Sequence, residues 1–295
     1  MNKLIKEFKE PGASFRGKPF WSWNGLLDQA ELKRQIDVMQ QMGMGGYFCH
    51  SRTGLETEYL GSEWFELINA CAEKGRKCGM EAWLYDEDRW PSGTAGGMVT
   101  ENPDFRIKYL RLNICPAQDF VWNNGIIAAF SVLLNGQSFT DKQQLAQNET
   151  DSRPDRSVLY FTSEEMMPYS FYNGQTYVDT MNPEATKEFL RITHEQYAEN
   201  CAKNINNGSI YGIFTDEPHH GGIMCGFALQ NPDGNNLTPM PKDLFEQFSE
   251  KFGYSLRDNL PELFLKPDGC DVSRVKWHYC ELLCSLFVKN YLTPI

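Results

Sequence analysis

The sequence lacks both the long apolar runs of a membrane protein and the paired cysteines of a zinc site or a disulfide framework. None of its apolar stretches approaches the length that spans a bilayer. The first ten residues are charged and contain no apolar segment typical of a signal peptide. The 9 cysteines are scattered singly, without a CxxC spacing. We therefore predict no membrane partner and a cytoplasmic protein whose thiols stay reduced.

Positive charge is also scarce. The 28 Lys and Arg residues are outnumbered by 39 Asp and Glu residues, which gives a net charge of −11. Binding a phosphate backbone requires clustered Lys and Arg, so we expect no nucleic-acid partner. Aromatic residues, in contrast, make up 13% of the chain and include 7 Trp. Aromatic side chains stack on the flat apolar faces of sugar rings, although a large core is the alternative explanation.

Short apolar runs alternate with amphipathic segments in the first third of the chain. The predicted strands are Lys18–Asn24, Tyr47–Cys49 and Met80–Tyr85, and the predicted helices between them are Leu27–Met42 and Ser62–Lys77. This order predicts parallel strands joined by right-handed helical crossovers. It is typical of (β/α) barrels and of doubly wound sheets, both of which belong to the α/β class.

The pattern changes after residue 105. Alternating runs separated by hairpin signals at Asn123–Gly125 and Asn135–Gly136 predict a small antiparallel β module inserted after the third strand. The earlier rhythm then resumes with a helix that starts at Pro183, a fourth strand at Ser209–Phe214 and two more helices. We therefore predict barrel strands 1–3 in residues 1–105, the β module in 106–178, and helix 3, strand 4 and the following helices in 179–295.

Polar residues follow the C-terminal end of each predicted strand. In parallel barrels and sheets the loops at these ends build the active site, so these side chains are expected to converge. They are Asn24, His50, Arg52, Asp86, Glu87, Asp88, Asp216, Glu217, His219 and His220.

The carboxylates among them suit the cleavage of a glycosidic bond. That reaction needs one carboxyl to protonate the leaving oxygen and another to activate water or attack the anomeric carbon. Clustered carboxylates raise one another's pKa, which keeps one of them protonated near neutral pH. Glu217 follows an apolar strand that Pro218 ends, so it is the candidate general acid. The alternative is that Asp216 and Glu217 form a solvated loop pair.

Other candidates also have a structural explanation. Mixed charge such as Asp86–Arg89 commonly forms an ion network, and a single His is more often a satisfied structural group than a catalyst. The tryptophans also have either a structural or a functional explanation. Trp21 and Trp83 are expected in the core, whereas Trp23 and Trp90 lie nearer the predicted mouth and are expected to stack on a sugar.

Three segments together resemble a known family. They are residues 43–57, with Tyr47-Phe48-Cys49-His50-Ser51-Arg52 at their centre, residues 81–93, and Phe214-Thr215-Asp216-Glu217-Pro218. Over roughly residues 16–222 the sequence is similar to the α-L-rhamnosidase family numbered 106 among the glycoside hydrolases. The resemblance implies a TIM-like barrel with an inserted β module and inverting hydrolysis of terminal rhamnose in plant-type polysaccharides. It also implies a calcium ion near the site in some members, and Glu217 matches the acidic motif on strand four.

We therefore predict a glycoside hydrolase catalytic region with a carbohydrate substrate and no certain cofactor. Glu217 is the predicted general acid, and Asp216 and Glu87 are further catalytic candidates. The predicted ligands of sugar hydroxyls or of an ion are Trp23, Asn24, His50, Arg52, Asp86, Asp88, Trp90, His219 and His220.

Two alternatives stay open at this stage. One is a non-catalytic carbohydrate-binding fragment that keeps the tryptophans. The other is a metal-dependent TIM-barrel hydrolase, which usually has His-x-His on its first strand, where this chain has Trp21-Ser22-Trp23. Its ligands would be His50, Asp86, Asp216 and His219.

The predicted barrel is incomplete. Family members are far longer, and four parallel strands are predicted here, ending near Phe214, whereas a closed barrel needs eight. A sheet of this kind has open edges and an apolar face. We expect a half barrel that is marginally stable, self-associates through its open edge, or is a fragment of a longer protein. Because the second catalytic carboxyl would then come from the missing half, we expect that this chain alone does not hydrolyse glycosides. The alternative is that Asp86 or Glu87 supplies that carboxyl.

Overall fold

The computed structural model describes residues 3–221 and 236–295. In chain order its helices and strands are α1 (Lys3–Lys9), β1 (Phe20–Gly25), α2 (Gln29–Gln41), β2 (Gly46–Leu55), α3 (Ser62–Lys77), β3 (Glu81–Tyr85), β4 (Lys108–Pro116), β5 (Ile126–Asn135), β6 (Ser138–Leu145), β7 (Ser157–Glu165), α4 (Pro183–Ile192), α5 (His194–Asn200), α6 (Ala202–Asn206), β8 (Ile210–Phe214), β9 (Leu237–Pro239), α7 (Leu244–Phe252), α8 (Pro261–Phe264), β10 (Lys266–Pro267) and α9 (Arg274–Phe287). Within these ranges no helix has both the length and the apolar character needed to cross a lipid bilayer.

The chain forms two compact units. Unit 1 contains the described residues of ranges 1–101, 170–174 and 187–218, and unit 2 contains those of ranges 102–169, 175–186 and 219–295. The chain therefore passes between the units several times. The division predicted from the sequence, at residues 105 and 178, is a different partition of the chain and stays a prediction.

Unit 1 is built on a parallel sheet. Its strand order is β1-β2-β3-β8, and each neighbouring pair is parallel. This confirms the parallel pairing predicted from the strand–helix rhythm. The unit is mixed α/β, and its sheet is compatible with part of a barrel.

Two sequence signals fix the helices of this unit. Asp28 caps α2, because its side chain accepts a hydrogen bond from the Glu31 backbone N–H at 2.8 Å. Helix α3 occupies Ser62–Lys77, the range predicted from its apolar periodicity, and it buries Trp64 and Ile68. Both helices pack on one face of the sheet in a core that also includes Tyr197 of α5.

The alternation of β1 decides which of its side chains reach that core. Trp21 and Trp23 point to the helix-covered face and are buried, whereas Phe20, Ser22 and Asn24 point to the opposite face. The opposite face is the one that carries the polar strand ends described below.

One predicted helix is interrupted. The apolar pattern from Pro183 to Lys203 predicts a single helix, but the structure has α4, α5 and α6 in succession. Thr193 separates α4 from α5, with φ −106° and ψ −76°, and its hydroxyl donates to the Phe189 carbonyl at 2.7 Å. A threonine hydroxyl that bonds back to the preceding turn competes with the helical ladder and bends helices.

Unit 2 is built on a second sheet of order β10-β6-β5-β7-β4-β9. The pairs β4–β7, β5–β6 and β5–β7 are antiparallel, as the alternating runs after residue 105 predict. Phe130 and Phe161 of this sheet pack with Phe248 of α7 and Leu282 of α9 in one apolar core.

Candidate active site

The polar ends of the parallel strands of unit 1 border an open pocket of about 630 Å³. The C-terminal parts of β1 and β2 and the segments that follow β3 and β8 contribute to it, as expected for the carboxyl edge of a parallel sheet. Its lining residues are Ser22, Asn24, Arg52, Thr53, Trp90, Phe171, Asp216 and Glu217. The structure thus brings together five of the predicted site residues: Asn24, Arg52, Trp90, Asp216 and Glu217.

Glu217 is exposed in this pocket and has an unusual backbone conformation. Its φ is +46°, in the left-handed region that non-glycine residues seldom adopt. Its Oε2 accepts a hydrogen bond from the Trp90 indole N–H at 3.1 Å. Backbone strain of this kind costs about 1–3 kcal/mol and occurs at active sites as well as in turns.

Asp216 lies deeper than Glu217 and is held from both sides. Its Oδ2 accepts a hydrogen bond from the Tyr85 hydroxyl at 3.1 Å, and its backbone N–H donates to Ser92 Oγ at 2.8 Å. Burial raises the pKa of Asp216, and the charge of Glu217 raises it further. The Tyr85 hydrogen bond and the charge of Arg52 act in the opposite direction.

The end of β8 explains why consecutive residues share a pocket. In an extended strand, neighbouring side chains point to opposite faces. β8 ends at Phe214, so this alternation does not extend to Asp216 and Glu217, which both line the pocket with Glu217 in the left-handed conformation. The sequence motif predicted the two carboxyls but not this backbone geometry.

Glu87 does not line the pocket, which corrects its prediction as a catalytic residue. Its side chain is 0% exposed, and the loop after β3 wraps around it. Its oxygens accept from the Thr94 hydroxyl and from the backbone N–H groups of Asp88, Arg89, Gly93, Thr94, Ala95 and Gly96. Burial raises the pKa of Glu87 to about 7, whereas the backbone donors lower it. Because each of these partners donates, we interpret Glu87 as an ionised structural carboxylate that fixes the loop.

Asp86 is likewise buried and is corrected from a sugar ligand to a structural one. Its Oδ1 accepts from the Ser92 hydroxyl and its Oδ2 from the Thr215 hydroxyl, each at 2.6 Å. Burial raises the pKa of Asp86 to about 7. The full burial of Asp86 and Glu87 contradicts the alternative that either supplies a catalytic carboxyl directly.

Asp88 is part of a polar network beside the same loop. It accepts hydrogen bonds from the Ser51 hydroxyl and from Asn173 Nδ2, the latter at 2.9 Å, and it pairs with Arg89 at 3.2 Å. These contacts agree with the ion-network explanation for Asp86–Arg89 and leave Asp88 largely buried.

His50 is 2% exposed, which corrects its prediction as a ligand of sugar hydroxyls. Its ring stacks on Tyr85 with centroids 3.7 Å apart, and its Nδ1 donates to the Ser51 carbonyl at 2.6 Å. Burial lowers the pKa of His50 to about 4. A neutral imidazole packed in this way supports Tyr85, and Tyr85 in turn contacts Asp216.

Trp23 is also a correction. It is 1% exposed and packs edge-on against Trp21 and Trp64 in the helix-covered core. A buried indole has no face to offer a sugar ring. The strand alternation of β1 shows the reason, because the residues that face the pocket are Ser22 and Asn24.

His219 and His220 belong to unit 2, and their predicted role in sugar binding stays a prediction. The His219 ring stacks on Tyr177 with centroids 4.4 Å apart, and its Nδ1 accepts from the Gly221 N–H at 2.9 Å. Burial lowers the pKa of His219 to about 4 and also lowers that of His220.

Phe171 and Ser92 are site residues that the sequence interpretation missed. Phe171 comes from a short segment that is far in sequence from the other lining residues. No local sequence pattern indicates that this segment reaches the pocket. Ser92 follows a tryptophan and a proline in an irregular loop, yet its hydroxyl joins Asp86 to Asp216.

The described residues also limit which metal ions the site fits. Across residues 3–221 and 236–295, no group of three or more His, Cys, Asp or Glu side chains is arranged to hold a metal ion. These residues therefore contain no carboxylate cluster for the calcium ion that the family resemblance implies, and the ligand set of the metal-dependent alternative does not come together among them.

Comparison with known proteins supports the fold. No family model and no curated protein matches the chain. Among solved structures, a rhamnosidase from Novosphingobium sp. PP1Y is similar, with a TM-score of 0.59 and 12% sequence identity. The match covers 99% of this chain and 45% of the rhamnosidase, so the chain spans less than half the length of that protein. At this identity the similarity shows that the two chains share a fold over the matched region.

Proposed function

We propose that the pocket of unit 1 binds a sugar and cleaves its glycosidic bond. The observation that carries this proposal is that Asp216 and Glu217 line the same pocket, beside the indole of Trp90. Two carboxyls and an aromatic plane are the elements that glycoside hydrolysis uses. The distant structural similarity to a rhamnosidase supports the same class of reaction.

The two carboxyls take different roles in this proposal. Asp216 gives its proton to the leaving oxygen as the bond to the anomeric carbon breaks, and its raised pKa favours the protonated form that this step requires. A water molecule attacks the anomeric carbon and gives its proton to Glu217. This assignment differs from the sequence expectation in two ways. Glu217 becomes the base instead of the general acid, and both carboxyls come from this chain, so the chain alone is proposed to be active.

The remaining lining residues suit recognition of a sugar. Asn24 and Arg52 offer hydrogen-bond donors from the ends of β1 and β2, and Trp90 and Phe171 offer apolar faces. We assign them to binding hydroxyl groups and to stacking on the ring, respectively. Pockets that combine a few polar groups with aromatic walls are typical small-molecule sites.

The finer assignments rest on the sequence resemblance. We propose that the parallel sheet of unit 1 is part of a TIM-like barrel and that the substrate carries a terminal rhamnose, cleaved with inversion. Membership of the rhamnosidase family numbered 106 is part of this proposal. Self-association through the open sheet edge also stays a prediction, which sedimentation velocity over a range of protein concentrations tests.

A panel of aryl glycosides, assayed with and without a chelator, tests the proposed function. We expect release of the aryl group from at least one glycoside, with α-L-rhamnoside the first candidate, and no loss on chelation. Release that a chelator abolishes would favour the metal-dependent hydrolase. Sugar binding without release from any glycoside would favour the non-catalytic alternative.

A further inference from the structure

A partly buried histidine that the sequence interpretation did not single out lies near Asp86. His194 is the first residue of α5, and its Nε2 is 3.8 Å from Asp86 Oδ2. That nitrogen is buried and has no hydrogen-bond partner in the part of the chain that the structure describes. Buried polar atoms are normally hydrogen-bonded, so this arrangement requires an explanation.

The neighbouring threonine determines the tautomer of His194. The Thr193 hydroxyl has a single hydrogen, which it donates to the Phe189 carbonyl at 2.7 Å. The same hydroxyl oxygen is 2.9 Å from His194 Nδ1. Since the hydroxyl hydrogen is already used, Nδ1 carries the hydrogen of this second bond. In the neutral ring, Nε2 is then the atom with the lone pair, and it faces Asp86.

In a buried environment, an ionised carboxylate next to a nitrogen lone pair is unfavourable when no hydrogen lies between them. Asp86 Oδ2 accepts the Thr215 hydroxyl, and Oδ1 accepts the Ser92 hydroxyl, so neither bond supplies a hydrogen to His194. The conflict disappears when one proton resides on either partner. The alternatives are a neutral carboxylic acid beside a neutral imidazole and a carboxylate beside an imidazolium.

We propose that His194 and Asp86 carry one proton between them, and that this pair positions the Thr215–Glu217 segment of the pocket. The positioning follows from the bonds of Asp86, which holds Thr215 directly. Asp86 also holds Ser92, which bonds Asp216 twice: Ser92 Oγ accepts the Asp216 N–H at 2.8 Å, and the Ser92 N–H donates to the Asp216 carbonyl at 2.9 Å. Only the expected effect on sugar affinity rests on the proposed function.

The electrostatics of the pair agree with one shared proton. Burial raises the pKa of Asp86 to about 7 and lowers that of His194 to about 4. Between these values Asp86 keeps its proton and His194 is neutral, so the two residues together hold one proton besides the Nδ1 hydrogen. The other titratable groups that interact with Asp86 are Glu87, which raises its pKa further, and the hydroxyls of Tyr59, Tyr85 and Tyr197.

Loss of this proton at alkaline pH leaves a carboxylate 3.8 Å from the His194 lone pair. The hydrogen bonds that Ser92 and Thr215 donate favour the ionised form of Asp86, so they hold the Thr215–Glu217 segment at alkaline pH as well. Asp86→Asn has a donor for Nε2 at every pH, but its single amide oxygen cannot accept both hydroxyls, so one of these two bonds is lost.

Histidine side-chain NMR on the full chain tests the pair without requiring turnover. The chain has only 5 histidines, so the His194 ring is assigned by comparison with His194→Gln. We expect a neutral ring protonated at Nδ1, and an Nε2 nitrogen shift that titrates near pH 7 in the parent and does not titrate there in Asp86→Asn. An Nε2–H tautomer in the parent, or the same titration in Asp86→Asn, would overturn the proposal.

A second variant keeps the test decisive if Asp86→Asn does not fold. Thr193→Val has nearly the same shape but removes the acceptor for Nδ1–H, so the ring is expected to change to the Nε2–H tautomer, which donates to Asp86. An unchanged tautomer contradicts the argument. The functional consequence is measured as the affinity for L-rhamnose, which should be lower in Asp86→Asn than in the parent because one of the bonds that position the segment is lost; an equal affinity would contradict the positioning role. A parent protein that binds no sugar would count against the proposed function, whereas the NMR result still decides the proton-sharing pair.

Discussion

The indole N–H of Trp90 donates a hydrogen bond to Oε2 of Glu217 across 3.1 Å. Trp90 follows β3 and Glu217 follows β8, which are neighbouring parallel strands. The bond therefore fixes the edge of an aromatic ring against a pocket carboxylate. It also leaves the face of the ring as a surface on which a sugar can stack.

Replacement of Trp90 is expected to weaken sugar binding. Trp90→Ala removes the aromatic face and should lower the affinity for L-rhamnose about 3- to 10-fold, as expected for a loss of roughly 0.5–1.5 kcal/mol. Trp90→Phe keeps an aromatic face but lacks the indole N–H, so its affinity for L-rhamnose should lie between those of the parent and of Trp90→Ala. Isothermal titration calorimetry measures both. Trp277→Ala, at an exposed position of α9, is the matched control, and an equal loss in that variant would argue against stacking on Trp90.

The pH dependence of turnover should identify the proton donor. The pKa of Asp216 is raised, so its protonated form persists to higher pH than in an exposed aspartate. If Asp216 is the acid, activity falls as pH rises through that pKa. Tyr85→Phe removes a hydrogen bond that favours the charged form, so the decline should move to higher pH. Rates measured across pH check the shift, with Tyr211→Phe as the control at an exposed position of β8. An unmoved decline would exclude Asp216 as its source.

Glu87 is expected to be essential for stability. Glu87→Gln replaces an oxygen with an amide N–H₂ that faces backbone donors, and several buried N–H groups then lose their acceptor. A loss of about 2–4 kcal/mol in the free energy of unfolding is expected for such a buried network. Urea denaturation measures it. Glu66→Gln, on an exposed position of α3, should change the free energy by less than about 0.5 kcal/mol. Similar values for both variants would show that the loop does not depend on Glu87.

The sequence predicted the parallel strands of unit 1 because their signals are local. Apolar runs, the Asp28 cap and the periodicity of α3 all act within a few residues of one another. The carboxyl-end position of the polar residues follows from parallel pairing itself. Asn24, Arg52, Trp90, Asp216 and Glu217 were expected at this edge for this reason, and they line one pocket, while their roles in binding and catalysis stay predictions.

The errors concern the direction and the environment of side chains. Proximity to a strand end suggested that Trp23 faces the pocket, but strand alternation turns it into the core. Glu87 follows a strand as a catalytic carboxylate would, yet the backbone N–H groups of a later turn surround it. A pattern of residue types does not show where backbone N–H groups will lie. His194 was missed because the break at Thr193, which directs it toward Asp86, lies inside an uninterrupted helical pattern.

The rate of aryl glycoside hydrolysis by the parent chain and by Glu217→Gln tests the central claim most directly. This substitution keeps the shape of the side chain and removes its titratable group. We expect kcat to fall at least ~10²-fold, the lower end of the contribution of general acid–base catalysis. Glu66→Gln should keep the parent rate. Activity within a few-fold of the parent in Glu217→Gln, or no release from any glycoside of the panel by the parent, would contradict the assignment of this pocket to glycoside cleavage.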